Sequence, residues 1–283
     1  MRLLAQIKKD LDFNNNLYNL VEVLKEISIS QYRIMEKKIK SFDKVFNALE
    51  SLFEMFDPES SNHPLINTGN RQPGVIAITS DSGLLGGLNM QVMNSAVKEA
   101  VSSRATLIII GEKGKVFAKD SGLPTVNFKG IKDETRYEQA VELRDFIVKE
   151  ELAGRLGALE MIYPYSISLF SQQVQVIKLL PFSKADNIRV KNEGSFYPDI
   201  IYESPIDDVV GYLIYLLLSR KFYETFGLAR LAEMSARYIH LENSKTKIEQ
   251  LNKELKMQYF RTRHELIDRN IRELFASRLA VHN

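Results

Sequence analysis

The residues with the most evident chemical potential form one run, Thr79-Ser80-Asp81-Ser82-Gly83-Leu84-Leu85-Gly86-Gly87-Leu88-Asn89. Hydroxyls, a carboxylate and closely spaced glycines stand there between a short apolar run (75 to 79) and a helical pattern that begins near Met90. Glycines at a strand-to-helix junction allow a tight turn and close backbone approach, and the free amides of a helix N-terminus can hold a phosphate. The wider pattern argues against that use. No Lys-Ser or Lys-Thr pair follows the glycines, as a nucleotide-binding P-loop requires, and the spacing is not G-x-G-x-x-G. Ser80 and Asp81 with a distant histidine would make a hydrolytic set. G-x-S-x-G is absent, however, and none of His63, His240, His264 and His282 has a supporting context. Asp207 with Asp208, and Glu150 with Glu151, could ligate a metal, but adjacent acids on helices are far more often caps and solvated faces. No catalytic residue, cofactor site or metal site is expected.

Composition removes further classes. The chain has 283 residues, 38 Lys+Arg against 36 Asp+Glu for a net charge of +2, and no Cys. Without cysteine there are no disulfides, Cys-ligated zinc, iron-sulfur clusters or dithiol switches. So small a net charge does not mark a nucleic-acid or membrane-surface binder. No run approaches the roughly 18 apolar residues of a membrane span, and residues 1 to 16 lack a signal peptide's apolar core. The cytoplasm is the expected compartment.

The elements that must position any site follow from the distribution of Pro and Gly. Neither occurs before Pro58, and after Pro205 only Gly211 and Gly227 remain. The order is helix, mixed domain, helix, with boundaries at 1–57, 58–205 and 206–283. In the first segment one heptad frame runs from Leu4 through Ile7, Leu11, Asn14, Tyr18, Val21, Lys25, Ser28, Tyr32, Met35 and Ile39 to Phe56. That is a coiled-coil seam. Asn14, Lys25 and Ser28 interrupt it where Leu17, Leu20, Leu24 and Ile27 offer a second stripe, so a change of partner or a wider buried face is expected there. A helix of this length measures roughly 85 Å, longer than a compact globule of this size can hold.

The last segment carries a dense apolar run from Val209 to Leu218, then a sparser stripe: Ile248, Leu251, Leu255, Tyr259, Ile267, Ile271 and Leu274. Basic residues outnumber acidic ones from Lys245 onward. This is either a solvated face with i,i+4 pairs or a positive surface that slides past an acidic partner. Two incomplete stripes at opposite ends of one chain bury each other most simply as an antiparallel pair. Between them, 75 to 79, 104 to 111, 156 to 163 and 173 to 180 read as strands, and 90 to 102 and 134 to 151 as helices. The expected fold is α/β, a long antiparallel two-helix coiled coil with an inserted Rossmann-like domain whose sheet is mostly parallel.

The loop, the element order and the C-terminal segment together resemble the gamma subunit of F-type ATP synthase over essentially the whole chain. The family loop usually reads T-[SD]-D-R-G-L-C-G-G-L-N, and Thr79, Asp81, Gly83, Gly86, Gly87 and Asn89 match it, with Ser82 and Leu85 in place of the Arg and Cys. Glu233-Met234-Ser235-Ala236-Arg237-Tyr238 is similar to the family's E-x-x-A-R-M. Tyr259 and Arg263 fall on its Y-N-x-x-R-Q, Leu179-Leu180-Pro181 on the Leu-Leu-Pro after a strand, and Tyr197-Pro198-Asp199 on an E-P-D turn. His264 replaces a common Gln, Asp268 and Asn270 replace Thr and Glu, and residues 24 to 31 replace M-x-M-V-A-A-S-K. Ser30-Gln31-Tyr32 is similar to a divergent alternate lineage of these ATPases.

The resemblance implies a non-catalytic rotor: a central stalk coupling an ion-driven membrane ring to conformational change at the catalytic ATP sites. Its implied partners are the alpha and beta subunits of the catalytic hexamer, the epsilon subunit and the membrane c-ring, with no nucleic acid, no cofactor and no direct membrane insertion. The implied place is peripheral, on the cytoplasmic face of a bacterial inner membrane. Leu24, Ile27, Arg237, Tyr259, Arg263, His264, Ile267 and Asp268 are the positions that the resemblance puts against the catalytic head. The alternative is a coiled-coil scaffold with a ligand-binding α/β domain, which would bind a phosphorylated small molecule at 80 to 87.

Overall fold

The computed structural model describes residues 2 to 41, 63 to 119, 121 to 183 and 204 to 281. The far part of the first heptad frame, Phe42 to Phe56, and Tyr197-Pro198-Asp199 lie outside the described residues. In chain order the elements are α1 (Arg2–Ser41), β1 (Gly74–Ile78), α2 (Leu88–Ser103), β2 (Thr106–Ile110), α3 (Glu112–Ala118), β3 (Thr125–Phe128), α4 (Arg136–Leu152), β4 (Leu159–Ser168), β5 (Ser171–Leu180) and α5 (Ile206–Val281). The chain divides into two compact units, residues 29 to 237 and the pair of segments 1 to 28 and 238 to 283. Both α1 and α5 contribute to each.

The unit of residues 29 to 237 is built on a five-stranded sheet in the order β3-β2-β1-β4-β5. β1 pairs in parallel with β2 and with β4, β2 in parallel with β3, and only β5 is antiparallel. All five residues of β1 are buried because both faces of the sheet are covered, the condition under which parallel strands read as unbroken apolar runs. Val75, Ala77, Leu107 and Ile109 face α2 through Val92, Met93, Ala96 and Ala100. Ile76, Ile78, Ile108 and Met161 face α4 and α5, meeting Leu143 and Ile147 from the one and Ile214, Leu217, Phe222 and Phe226 from the other.

The dense run at the start of α5 therefore closes the core of the α/β layer. Its buried positions, Val210, Leu213, Ile214, Leu217, Leu218 and Phe222, recur at helical spacing. Asp207 and Asp208 occupy its first turn, as their charge suits. Polar bonds add to the α4–α5 contact: Arg144 donates to Ser219 Oγ (2.6 Å) and lies 3.6 Å over the Tyr215 ring, while Arg136 donates to the Tyr223 hydroxyl (2.8 Å).

Two short elements have no counterpart in the sequence reading. β3 has four residues with exposed and half-buried positions only, and α3 has seven residues that start after Gly111. Elements this short carry too few periods to show in a pattern.

At the amino end of the sheet Glu151 is fully buried at the last turn of α4. Arg71 Nη1 donates to its Oε1 at 2.8 Å, and Oε2 is buried without a partner. Burial pushes this carboxyl up to about 7, against the pull of Arg71. Between the unfolded carboxyl's range near 4.5 and this value the folded chain holds a proton that the unfolded chain releases. The resulting stability is full below about pH 4.5 and is lost as pH rises through about 7, on the order of 3 kcal/mol. A Glu151→Gln chain should lack this slope. Melting curves of both proteins from pH 5 to 8 that run parallel would refute the assignment.

In the unit of residues 1 to 28 and 238 to 283, α1 and α5 run antiparallel. Asn252 Nδ2 donates to Asn15 Oδ1 (3.1 Å), the Tyr18 hydroxyl to Glu249 (3.1 Å), Lys245 pairs with Glu22 (2.6 Å) and Lys25 with Glu242 (3.1 Å). Each step of three or four along α1 is answered by an equal backward step along α5. The α1 frame continues without a change of stripe: Ile7, Val21, Lys25 and Ser28 are all buried, while Leu20 and Ile27 are about half exposed. Of the two alternatives expected there the wider buried face is the one observed, with Leu17 and Leu24 half-buried beside the frame, while the polar seam residues are satisfied where they stand. Lys25 has two carboxylates, and Ser28 Oγ donates to Leu24 O at 2.8 Å.

The α5 side corrects the sequence reading in another way. Besides Glu242 and Ser244, its less exposed positions from Leu241 onward are Leu241, Lys245, Ile248, Asn252, Leu255, Tyr259, Thr262 and Leu266, an unbroken alternation of four and three. Leu251, Ile267, Ile271 and Leu274 are exposed. Residue type pointed to those isoleucines and leucines, but the geometry of the pair keeps to the frame and takes Thr262 and Leu266 instead.

Candidate functional site

The loop after β1 is a junction whose polar side chains bond to neighbouring elements. Thr79 Oγ1 donates to Ile110 O (2.7 Å) and accepts from the Gly114 amide (3.0 Å), which ties the end of β1 to β2 and α3. Asp81 Oδ1 accepts from the Glu112 amide (2.9 Å) and so caps α3 from a distant part of the chain. Asn89 closes the loop on itself: its Oδ1 accepts from the Ser80 amide (3.1 Å) and its Nδ2 donates to Ser80 Oγ (2.9 Å).

Backbone conformation favours glycine at one place around it and requires it at another. Gly86 has φ +59, and Gly111 has φ +102 with space such that a Cβ would lie 2.5 Å from Thr79 O. Leu84 also has positive φ (64), and its side chain is half exposed. The adjoining cavity, between Thr79, Asp81, Asn89, Arg230 and Glu233, is about 50 Å³. That admits water but not a phosphorylated metabolite. A larger cavity of about 460 Å³ lies past the carboxyl ends of β2 and β3. Lys129 and Lys132 face Glu138 and Glu142 around it, a balance that selects no ligand of one charge.

The loop's outward connection runs to α5. Glu233 is 5% exposed. Its Oε1 accepts from Ser82 Oγ (2.7 Å) and from Arg237 Nη2 (2.7 Å), and its Oε2 from Arg230. Arg237 Nη2 also donates to Ser82 Oγ (2.6 Å), while Arg230 reaches Asp133 at 3.4 Å. A second tie joins the β4–β5 hairpin to the next turn of α5, where Ser235 meets Gln172 and Ser166. Three connections of the sheet thus grip α5 over residues 230 to 237. Sequence reasoning marked Glu233 and Arg237 but missed Arg230 and Asp133. The i,i+3 and i,i+4 spacing of Arg230-Glu233-Arg237 was a visible signal for half of this network.

The other expected contact positions lie elsewhere. Leu24 is half-buried against the cluster of Val21, Leu241 and Ile248, and Ile27 is exposed. Tyr259 is half-buried, while Arg263, His264, Ile267 and Asp268 are exposed, with His264 Nδ1 2.7 Å from Phe260 O. These seven belong to the helix pair, and Arg237 belongs to the other compact unit. From Ile267 to Ser277 every residue of α5 is exposed.

The match to known proteins covers the whole of this architecture. The family model described as ATP synthase matches residues 3–281. A protein of Clostridium pasteurianum named ATP synthase gamma chain is 22% identical over 276 residues, 96% of each chain. The chain belongs to the ATP synthase gamma-chain family. Another relative of that name, from Delftia acidovorans, is 28% identical over 229 residues, 77% of this chain and 78% of its own. Among solved structures, a chain of the Euglena gracilis mitochondrial ATP synthase OSCP/F1/c-ring assembly superposes with a TM-score of 0.69 at 16% identity, covering 99% of this chain and 95% of that one. A chain of the Tetrahymena thermophila mitochondrial central stalk/c-ring has a TM-score of 0.58 at 18% identity, covering 80% of this chain and 99% of that one. At these identities the likeness concerns the fold: a gamma-chain helix pair and an α/β unit persist although most side chains differ.

Proposed function

We propose that this chain is the central stalk, or rotor, of an F-type ATP synthase and carries no active site of its own. The observation that supports it most is the family match over residues 3–281, on a fold whose loop side chains are spent on holding β2, α3 and α5. The helix pair engages the alpha and beta subunits of the catalytic hexamer. The α/β unit engages the epsilon subunit and the c-ring, and residues 58–205 form the inserted domain between segments 1–57 and 206–283. No helix among the described residues is long and apolar enough to cross a membrane. The chain acts as a peripheral part of the F1 portion, on the cytoplasmic face of a bacterial inner membrane.

The physics of coupling favours a distributed contact. Moving a catalytic site from mostly closed to mostly open takes about 5.5 kcal/mol of differential interaction. An exposed ion pair supplies roughly 0–1 kcal/mol, and Arg263, His264 and Asp268 are exposed. The push therefore comes mainly from shape and apolar surface, with Leu24, Ile27, Tyr259 and Ile267 contributing along the pair. Ending the chain at Leu266 should cut ATP-driven torque severely, whereas Arg263→Ala or Arg269→Ala should leave it largely intact. Full torque from the shortened rotor would refute this account.

The direct test of the reading is isolation of the native complex. The expected result is a large assembly with two kinds of nucleotide-binding subunit at three copies each. A free monomer or homodimer that binds a phosphorylated small molecule would point to a scaffold instead.

A further inference from the structure

The apolar contacts of the helix pair do not by themselves choose an alignment. Val21 clusters with Leu241 and with Ile248, which are one heptad apart on α5. Sliding one helix by a heptad brings like residues back together, so the apolar seam is nearly degenerate. Both helices continue beyond the pair, with Ile39 of α1 close to Gly227 of α5, so a shift within the pair has to be taken up by local distortion of the helices.

The polar seam residues are not degenerate. Lys25 stands at a seam position and is 9% exposed. Its ammonium is 3.0 Å from Glu22 Oε1 on its own helix and 3.1 Å from Glu242 Oε2 on the facing one. Lys245 returns from α5 to Glu22 Oε2 at 2.6 Å and lies 5.3 Å from the Tyr18 ring centre. Burial draws the Lys25 ammonium's pKa down, and the Glu22 and Glu242 carboxylates reverse that and raise it. A methionine of similar length would fill the same seam without desolvating a charge, and such replacements are often neutral or stabilising. Cohesion is therefore a poor explanation for a lysine here.

We propose that Lys25 is a positioning residue which, with Glu22, Glu242 and Lys245, holds α1 and α5 in a single axial register. Shifted one heptad in one direction, Glu22 would face Tyr238 and Lys245 would face Asn15; shifted in the other, Glu22 would face Asn252. The first shift leaves Lys25 opposite Ser235 and the second gives it Glu249 in place of Glu242, so either breaks the four-charge cluster, although the second keeps one interhelical carboxylate for Lys25. In a rotor, a pair that keeps one register presents the same outer face at every turn. The inference about register itself concerns the isolated chain and stands whether or not the rotor reading does.

The absence of cysteine makes the register readable by cross-linking. Asn15→Cys with Asn252→Cys reports the observed alignment. Asn15→Cys with Tyr259→Cys, and Lys8→Cys with Asn252→Cys, report shifts of one heptad in either direction. Each pair is placed in the parent chain, in Lys25→Met and in Lys25→Arg, and disulfide yield is measured on the oxidised full-length protein. The 15/252 pair should form with at least about a tenfold preference over the shifted pairs in the parent and in Lys25→Arg, and that preference should largely vanish in Lys25→Met with helicity unchanged. Retention of the parent's preference by Lys25→Met would overturn the proposal. So would loss of helical signal in that variant, since the lysine would then be serving cohesion.

Discussion

Glu233→Ala is expected to destabilise the isolated chain by about 3–5 kcal/mol, the range for removing one partner of a buried ionic network. Glu233 is the acid on which Ser82, Arg230 and Arg237 converge. Arg237 would keep Ser82, and Arg230 would keep only its 3.4 Å contact with Asp133. Two largely buried guanidiniums would thus lose their shared counter-charge. Glu233→Gln preserves shape and acceptor capacity on one atom and should lose about half as much. Chemical denaturation of the three proteins gives the comparison directly. A loss under about 0.5 kcal/mol for the alanine variant would mean that the network is incidental. In the assembled complex the same variant should hydrolyse ATP with reduced ion pumping, because the loop and α5 would no longer move as one body.

Phe222→Ala should cost a similar amount, about 3–5 kcal/mol, through a cavity at the centre of the α/β layer. The Phe222 side chain is fully buried, stacks on Phe226 at 6.5 Å between centroids, and meets the face of the sheet that α4 also covers. The useful control is Phe260, on the same helix and 53% exposed. Phe260→Ala should change the stability of the isolated chain by no more than about 0.5 kcal/mol. Equal losses at the two positions would contradict the burial assigned to them. If Phe260→Ala instead lowers activity only in the complex, its ring serves a partner and not the fold.

These two residues also show how much could be read in advance. Phe222 and Phe260 both lie on one long helical pattern, and the apolar stripe takes in Phe222 and passes over Phe260 without saying what covers either. What separates them is that a sheet covers α5 before residue 238, α1 covers part of it afterwards, and none of the described chain covers residues 267 to 277. Glu233 and Arg237 stood out by their spacing and by family resemblance. Their roles were not legible, because Ser82 reaches them from a loop about 150 positions away in the sequence. Lys25 and Ser28 were misread for the opposite reason. Polarity marked them as interruptions of the frame, yet carboxylates and a backbone carbonyl satisfy them within it. The exposed Ile267, Ile271 and Leu274 show the complementary error, in which apolar character was taken for burial.

The amino-acid sequence by itself determined the helix, α/β, helix order, four of the five strands of the sheet, the heptad frame of α1 and the family. Each of these rests on local periodicity, on Gly and Pro placement, or on a short motif. Only the tertiary structure decided that the first turns of α5 complete the core of the sheet, that the glycine-rich loop serves as a clamp, and that Lys25 of α1 meets Glu242 of α5. Those outcomes depend on which distant groups arrive at a given side chain, and neighbouring residues carry no record of that.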